Sequence, residues 1–256
     1  MPPAGKLLGP DEPGPCERIN MEGSAPLLLV CDHASNRVPL RLANLGLDQR
    51  QLASHIGWDI GAASLAHRLS AQLDAPLIMS RYSRLVIDCN RPPEHPQSIP
   101  ASVADIAIPG NRAVSREQAQ QRRRELFDPY QQALTELLDS RRDGATHLLS
   151  IHSFTRSLAG SERPWLLGVC YRQHAEWAGR WLHALRAQTA ALIGDNEPYQ
   201  VEAGVDFTVP VQGESRGIPS IMLEVRQDAL RDDTGIAHWC DVIGRAWLDV
   251  IESRRQ

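Results

Sequence analysis

The sequence predicts an α/β protein in which helices pack on both faces of a mainly parallel sheet. Three observations lead there. The run at 27–31 is wholly apolar, and those at 146–151 and 220–226 have apolar centres without the strict alternation of a half-wetted strand. Between them, apolar residues recur at helical spacing, at Ile60, Ala63, Leu65, Ala66, Leu69 and Leu73 and again at Leu126, Phe127, Tyr130, Leu134, Leu137 and Leu138. The two signals alternate along the chain with no internal repeat and no linker, so residues 25–256 read as one domain.

The elements follow in order. Residues 1–24 are rich in Pro and Gly and lack a basic start followed by an apolar core. They read as a flexible leader rather than a signal peptide, contributing nothing to the fold. The strand at 27–31 breaks into Asp32-His33-Ala34-Ser35-Asn36-Arg37. Gly57-Trp58-Asp59-Ile60-Gly61 then opens the first helix, with Asp59 at or near its N-cap. Leu77-Ile78-Met79 is a short strand, and Leu85-Val86-Ile87 a further one ending in Asp88-Cys89-Asn90-Arg91-Pro92-Pro93. Residues 92–112 form a long irregular loop, of a length usually functional or mobile. Ser115 and Gln118 have capping-box spacing, a long helix follows that Pro129 kinks or divides, and Gly144 marks its end. The strand at 146–151 stops at His152-Ser153-Phe154-Thr155-Arg156. A strand at 165–171, a helix at 175–192, the strand at 220–226 carrying Glu224, and a helix at 235–253 complete the chain.

Composition excludes several classes. The net charge of −4 gives no reason to expect nucleic acid or an anionic membrane as partner. The clusters Arg122-Arg123-Arg124 and Arg141-Arg142 have acidic neighbours and read as solvated helix faces. No apolar run approaches the length of a membrane span. Five widely spaced cysteines without a C-x-x-C argue against a disulfide scaffold or a cysteine zinc site and suit a reducing, cytoplasmic compartment.

Polar groups at the carboxyl ends of parallel strands fall where open α/β sheets hold ligands. The candidates are His33 with Asn36, then Arg84, Asn90 and Arg91, then His152, and finally Glu224. Neutral imidazoles suit a zinc-like divalent ion, which in a catalytic site takes about three protein ligands and a water. Such a water becomes a nucleophile near neutral pH, and Glu224 could take its proton and return it to a leaving amine. A structural pair with Arg226 or Arg216 is the alternative for Glu224, because a buried carboxylate without a partner is costly. Arg91 beside Asn90 can grip a carboxylate through a fork, and Arg84 can reach a carbonyl oxygen as it becomes negative. Alternatively, Asp88 and Arg91 pair across the turn.

The blocks CDHASNRVP (31–39), GWDIGA (57–62), SRLVIDCNRPP (83–93), SIHSFT (150–155) and IMLEVR (221–226) resemble the N-formylglutamate amidohydrolase family, in matching order over residues 26–230. That family is similar to the zinc carboxypeptidases and the aspartoacylase-like deacylases. The resemblance implies a three-layer α/β/α sandwich around a mixed, mainly parallel sheet, zinc-carboxypeptidase-like (phosphorylase/hydrolase-like). It implies hydrolysis of an N-formyl or N-acyl amino acid, typically N-formyl-L-glutamate to formate and glutamate. By the same likeness His33 and His152 match metal ligands, Asn90 and Arg91 the substrate-carboxylate pair, Arg84 the carbonyl-polarising arginine, and Glu224 the general base. One departure stands out: the carboxypeptidase-like relatives have H-x-x-E where this chain has Asn36. Asp59 is then the candidate for the third ligand, unless it is only a helix cap. Other readings are a related deacylase or carboxypeptidase-like peptidase, or a metal-free binding relative. The implied partner is a small acidic N-acyl amino acid, and a homo-oligomer is compatible with the sequence.

Overall fold

The computed structural model describes residues 5–141, 146–158 and 160–252. Its central sheet is built from β1 (Cys16–Ile19), β2 (Leu27–Cys31), β3 (Leu77–Ser80), β4 (His147–Phe154), β5 (Leu167–Cys170), β6 (Ile193–Asp195) and β7 (Ser220–Arg226). The spatial order is β1-β3-β2-β4-β7-β5-β6. The pairings β3–β2, β2–β4, β4–β7 and β5–β6 are parallel, whereas β1–β3 and β7–β5 are antiparallel. The sheet is therefore mixed and mainly parallel, as the sequence predicts.

Both faces are covered, which explains the unbroken apolar run of β2. After the short α1 (Gln49–Ala53) come the covering helices: Leu27, Leu29 and Cys31 pack toward α2 (Ala62–Leu73), α5 (Ala175–Gln188) and α6 (Asp233–Glu252). Leu28 and Val30, on the opposite face of the same strand, pack against Tyr130, Leu134 and Leu138 of α4 (Asp128–Ser140). Burying each such side chain contributes about 1.5–3 kcal/mol. The result is an α/β/α sandwich.

The long helical region keeps its capping box: Ser115 Oγ accepts from the Gln118 N–H at 3.2 Å, and Gln118 Oε1 accepts from the Ser115 N–H at 2.9 Å. α3 (Arg116–Arg122) passes through a π-helical turn, Arg123–Phe127, into α4, whose second residue is Pro129. The wide turn accommodates the ring, which would otherwise clash with a carbonyl one turn back. Pro129 thus divides the helix without breaking it. Gly144, expected at the helix end, lies outside the described residues, as does Arg142.

Three expectations are corrected. Leu85-Val86-Ile87 is not a strand but a buried turn. Its carbonyls are taken by side chains, Asn111 Nδ2 donating to Leu85 O at 2.8 Å and Arg122 Nη1 to Val86 O at 3.0 Å. A three-residue apolar run signals burial, not hydrogen-bond geometry. Arg122, expected on a solvated face, is itself buried and anchors the loop through Asn111 Oδ1 at 2.7 Å. The third correction concerns the leader, of which residues 5–24 are described and contribute to the fold. β1 adds an antiparallel edge to β3, Leu7 is buried, and Glu125 accepts from the Leu7 N–H at 2.8 Å. These contacts run mainly through the main chain and leave little trace in composition.

Candidate active site and metal centre

The three central strands β2, β4 and β7 are adjacent, so their carboxyl ends open into one crevice. His33 lies two residues past the end of β2, His152 stands near the end of β4, and Glu224 is its direct register partner on β7. Parallel neighbours in register point the same way from the sheet. The loop carrying Asp59 is tied to the first of these tips, its N–H donating to His33 O at 3.0 Å.

Asp59 is no helix cap. The N-cap of α2 is Gly61, without a side-chain cap. Only glycine fits there, since φ is +83° and a Cβ would lie 2.5 Å from that of Leu230. The Asp59 carboxylate turns into the crevice, Oδ2 lying 2.7 Å from His152 Nδ1 and 3.3 Å from His33 Nδ1. One donor atom from each of His33, Asp59 and His152 falls within 4.8 Å of the others. Asn36 is half-buried and makes no side-chain hydrogen bond among the described residues.

Each imidazole presents Nδ1 to Asp59 and Nε2 to a further carboxylate. His33 Nε2 is 2.7 Å from Asp88 Oδ1. His152 Nε2 is 2.9 Å from Ser150 Oγ and 3.3 Å from Asp32 Oδ2. Asp32 is held by the Tyr130 hydroxyl at 2.8 Å and the Thr208 hydroxyl at 2.7 Å. Asp88 receives Arg84 Nη2 at 2.9 Å and the Asn90 N–H at 2.8 Å. Sequence reasoning missed Asp32 and Asp88 as site residues. Their signal is adjacency: Asp32 directly precedes His33, and Asp88 sits inside the arginine-rich block.

The electrostatics follow from burial and pairing. Burial alone would raise the carboxyls of Asp59 and Asp88, but His33 first, with His152 for Asp59 and Arg84 for Asp88, holds both well below the usual range. Burial would lower His152, yet its hydrogen bonds to Asp32 and Asp59 push it well above an ordinary histidine. Glu224 goes the other way: burial first, then the Asp59 charge, pushes it up to about 7 against the opposing His152. Its Oε2 is buried with no hydrogen-bond partner. Neither proposed structural partner takes it, since Arg226 pairs with Asp228 at 2.7 Å and Arg216 with Asp139 at 2.5 Å.

Arg84 Nη1 also reaches Asp59 Oδ1 at 3.5 Å, so one guanidinium ties both carboxylates while remaining partly open to solvent. Arg91 pairs with Asp206 at 2.6 Å rather than with Asp88, and its Nε is buried without an acceptor. Asn90 is more committed than the sequence implies. Its Oδ1 accepts from the N–H groups of Phe207 and Thr208 at 3.1 and 2.9 Å, and its Nδ2 donates to Asp206 at 3.3 Å. It thereby fixes the 206–208 segment beside Arg91.

These donors fit a divalent metal. Two imidazole nitrogens and a carboxylate converge, and each imidazole is oriented through its other nitrogen by an aspartate, the arrangement that sets tautomer and basicity in metal sites. Asp59 and Asp88 share one guanidinium, Arg84, and Asp32 faces only His152 and hydroxyls, so with both imidazoles neutral, as metal ligation requires, the cluster carries negative charge that a cation would balance.

A family model described as N-formylglutamate amidohydrolase matches residues 25–231. The chain superposes on the crystal structure of gene product Atu2144 from Agrobacterium tumefaciens with a TM-score of 0.94 at 28% identity, covering 98% of this chain and 100% of that one. It also superposes on N-formylglutamate amidohydrolase from Ralstonia eutropha JMP134 with a TM-score of 0.73, over 94% and 99% of the two chains; identity is 18%, so this likeness speaks to the fold. No curated protein matches the chain.

Proposed function

Because the chain belongs to the N-formylglutamate amidohydrolase family, we propose that it is a metal-dependent hydrolase that cleaves the amide of an N-formyl amino acid, N-formyl-L-glutamate foremost, to formate and the free amino acid. His33, Asp59 and His152 hold the divalent metal, and their donor set suits zinc. The observation that carries this reading is the meeting of His33 Nδ1 and His152 Nδ1 at one oxygen of Asp59, beside a buried carboxylate with an unpartnered oxygen, Glu224.

When bound, the ion supplies Lewis acidity, lowering the pKa of a water and polarising a carbonyl. The remaining work belongs to the chain. Glu224 takes the proton of the attacking water at its free Oε2 and delivers it to the departing amine, a task suited to a carboxyl raised toward neutrality. Arg84, held rigidly by Asp59 and Asp88, aims its open edge at the carbonyl oxygen and stabilises the charge that develops there. Arg91, aligned by Asp206, offers its unpartnered Nε to the substrate α-carboxylate, while Asn90 positions the segment that bears Asp206.

The test is hydrolysis of N-formyl, N-acetyl and N-succinyl amino acids, before and after chelation, with metal content measured on the purified protein. Turnover of formyl substrates that is lost with chelator and restored by zinc, cobalt or manganese supports the proposal. Preference for a larger acyl group would move it to a related deacylase. No bound metal and no activity on adding any of the three ions would leave a binding protein.

A further inference from the structure

Beyond the residues used so far, one buried cation lies at the crevice without an acid to balance it. Arg163 is 7% exposed, yet among the described residues no carboxylate pairs with it. Its guanidinium is held by neutral groups. Nη1 donates to the Tyr199 hydroxyl at 2.7 Å and Nη2 to Thr155 Oγ1 at 3.1 Å. It lies over the rings of Phe154 and Tyr199, 5.6 and 5.2 Å from their centroids. Buried charges are normally paired; Arg122 is likewise held by neutral oxygens but ties a loop, whereas Arg163 stands at the crevice, where an anionic ligand group would balance it.

Its place follows from the strand register. Phe154 lies two residues beyond His152 on β4, on the same face and roughly 6.6 Å farther along the strand. On the other side of Glu224, its antiparallel partner on β5 is Gly168. A Cβ at Gly168 would meet Glu197 O at 1.8 Å, so the segment leading to Tyr199 packs directly on that strand, alongside Glu224. Arg163 and Tyr199 therefore wall the crevice one step outward from the metal ligands. The electrostatics agree. After burial, the charge of Glu224 raises the Tyr199 phenol, and Arg163 with Arg84 helps burial depress His55.

We propose that Arg163 is the specificity-determining residue of this site, its guanidinium receiving the side-chain carboxylate of an acidic N-acyl amino acid. This rests on the hydrolase reading above. From the scissile carbonyl to the far carboxyl of a glutamyl group is five bonds, roughly 6 Å when extended. That span matches the step from His152 to Phe154. Arg91 then serves the α-carboxylate, common to all such substrates, and Arg163 the group that distinguishes them. Tyr199 and Thr155 are positioning residues that hold the fork in place.

The test uses the full-length, zinc-loaded protein with N-formyl-L-glutamate and its neutral near-isostere N-formyl-L-glutamine. R163M should lower kcat/KM for the glutamate substrate by about tenfold to a hundredfold, the scale of losing a charge-assisted contact, and leave the glutamine substrate within about threefold. R163K and Y199F preserve the charge and guard against a folding defect, which thermal melts would reveal. Both should erode the preference by a smaller factor, Y199F through KM with kcat unchanged. Equal losses on both substrates, or no loss on the glutamate substrate in R163M and R163K, would overturn the assignment. Calorimetric binding of L-glutamate and L-glutamine separates the two layers. Glutamate binding that depends on Arg163 in a protein without turnover would sink the hydrolase reading and keep this one. Turnover with a preference indifferent to Arg163 would do the reverse, and neither binding nor turnover would remove both.

Discussion

Glu224 and His152 face each other across adjacent parallel strands, register partners on β7 and β4, the imidazole satisfied at both nitrogens and the carboxylate with one buried oxygen satisfied by nothing. An unmet acceptor beside a satisfied imidazole marks which of the two is free to move a proton. E224Q should therefore reduce kcat by at least about a hundredfold, the scale of general acid–base catalysis. Metal content and the melting temperature of the metal-free protein should stay near wild type, because no hydrogen bond at Oε2 is lost. Undiminished turnover would assign the proton transfer to another group.

The aspartates behind the imidazoles should tune the metal without touching it. D88N removes the charge opposite His33 Nε2 and leaves Arg84 with a weaker anchor. Metal affinity, read by competition with a chromophoric chelator, should fall about 10- to 100-fold, the usual loss at such positions. An unchanged affinity would mean that His33 is oriented from elsewhere.

R91K replaces a planar fork already gripped by Asp206 with a point charge. We expect KM for N-formyl amino acids to rise about tenfold or more, equally for acidic and neutral side chains, with kcat changing much less. Steady-state kinetics on two substrates decide this, and an unaltered KM would place the α-carboxylate on another residue.

Asp74 supplies a pH-dependent tie between the amino-terminal segment and the end of α2. Its carboxylate accepts from the N–H and hydroxyl of Ser24 at 2.9 and 2.7 Å and from Asn20 Nδ2 at 3.1 Å. These bonds, the Ser24 N–H first, pull its pKa down to about 2 from 3.8. A lowered acid pKa stabilises the fold above the unfolded value, and that stabilisation is lost as pH falls through the folded one. D74N should thus melt below wild type at pH 5, with the gap closing as pH drops from about 4 toward 2. A gap that stayed constant with pH would show that the charge is irrelevant.

Much of this architecture is legible in the residues. β2 declares itself because a strand buried on both sides favours continuous apolar sequence, β4 and β7 show the same in their apolar centres, and the polar groups toward their ends locate the crevice. His33, Asp59 and His152 meet as the block resemblance implies. What the sequence hides is whatever depends on main-chain pairing or on partners distant in the chain. Leu85–Ile87 reads as a strand because hydrophobicity reports burial alone, whereas Asn111 and Arg122 decide its hydrogen bonding. Nothing local tells that Phe207 and Thr208 claim the amide oxygen of Asn90, so its second task, anchoring the 206–208 segment, goes unread. Arg163 escaped notice altogether, being an arginine with no block of its own, distinguished only by its place beside Phe154 and Tyr199.

The short ribbon Cys16–Ile19 has a consequence for handling the molecule. It shields the outer margin of Leu77–Ser80, whose four residues are all buried. Trimming the chain back to the first strongly apolar stretch would bare a greasy row of unsatisfied amides, an invitation to intermolecular zippering. The unassuming amino end is in that sense the guard that keeps neighbouring copies from stitching themselves together.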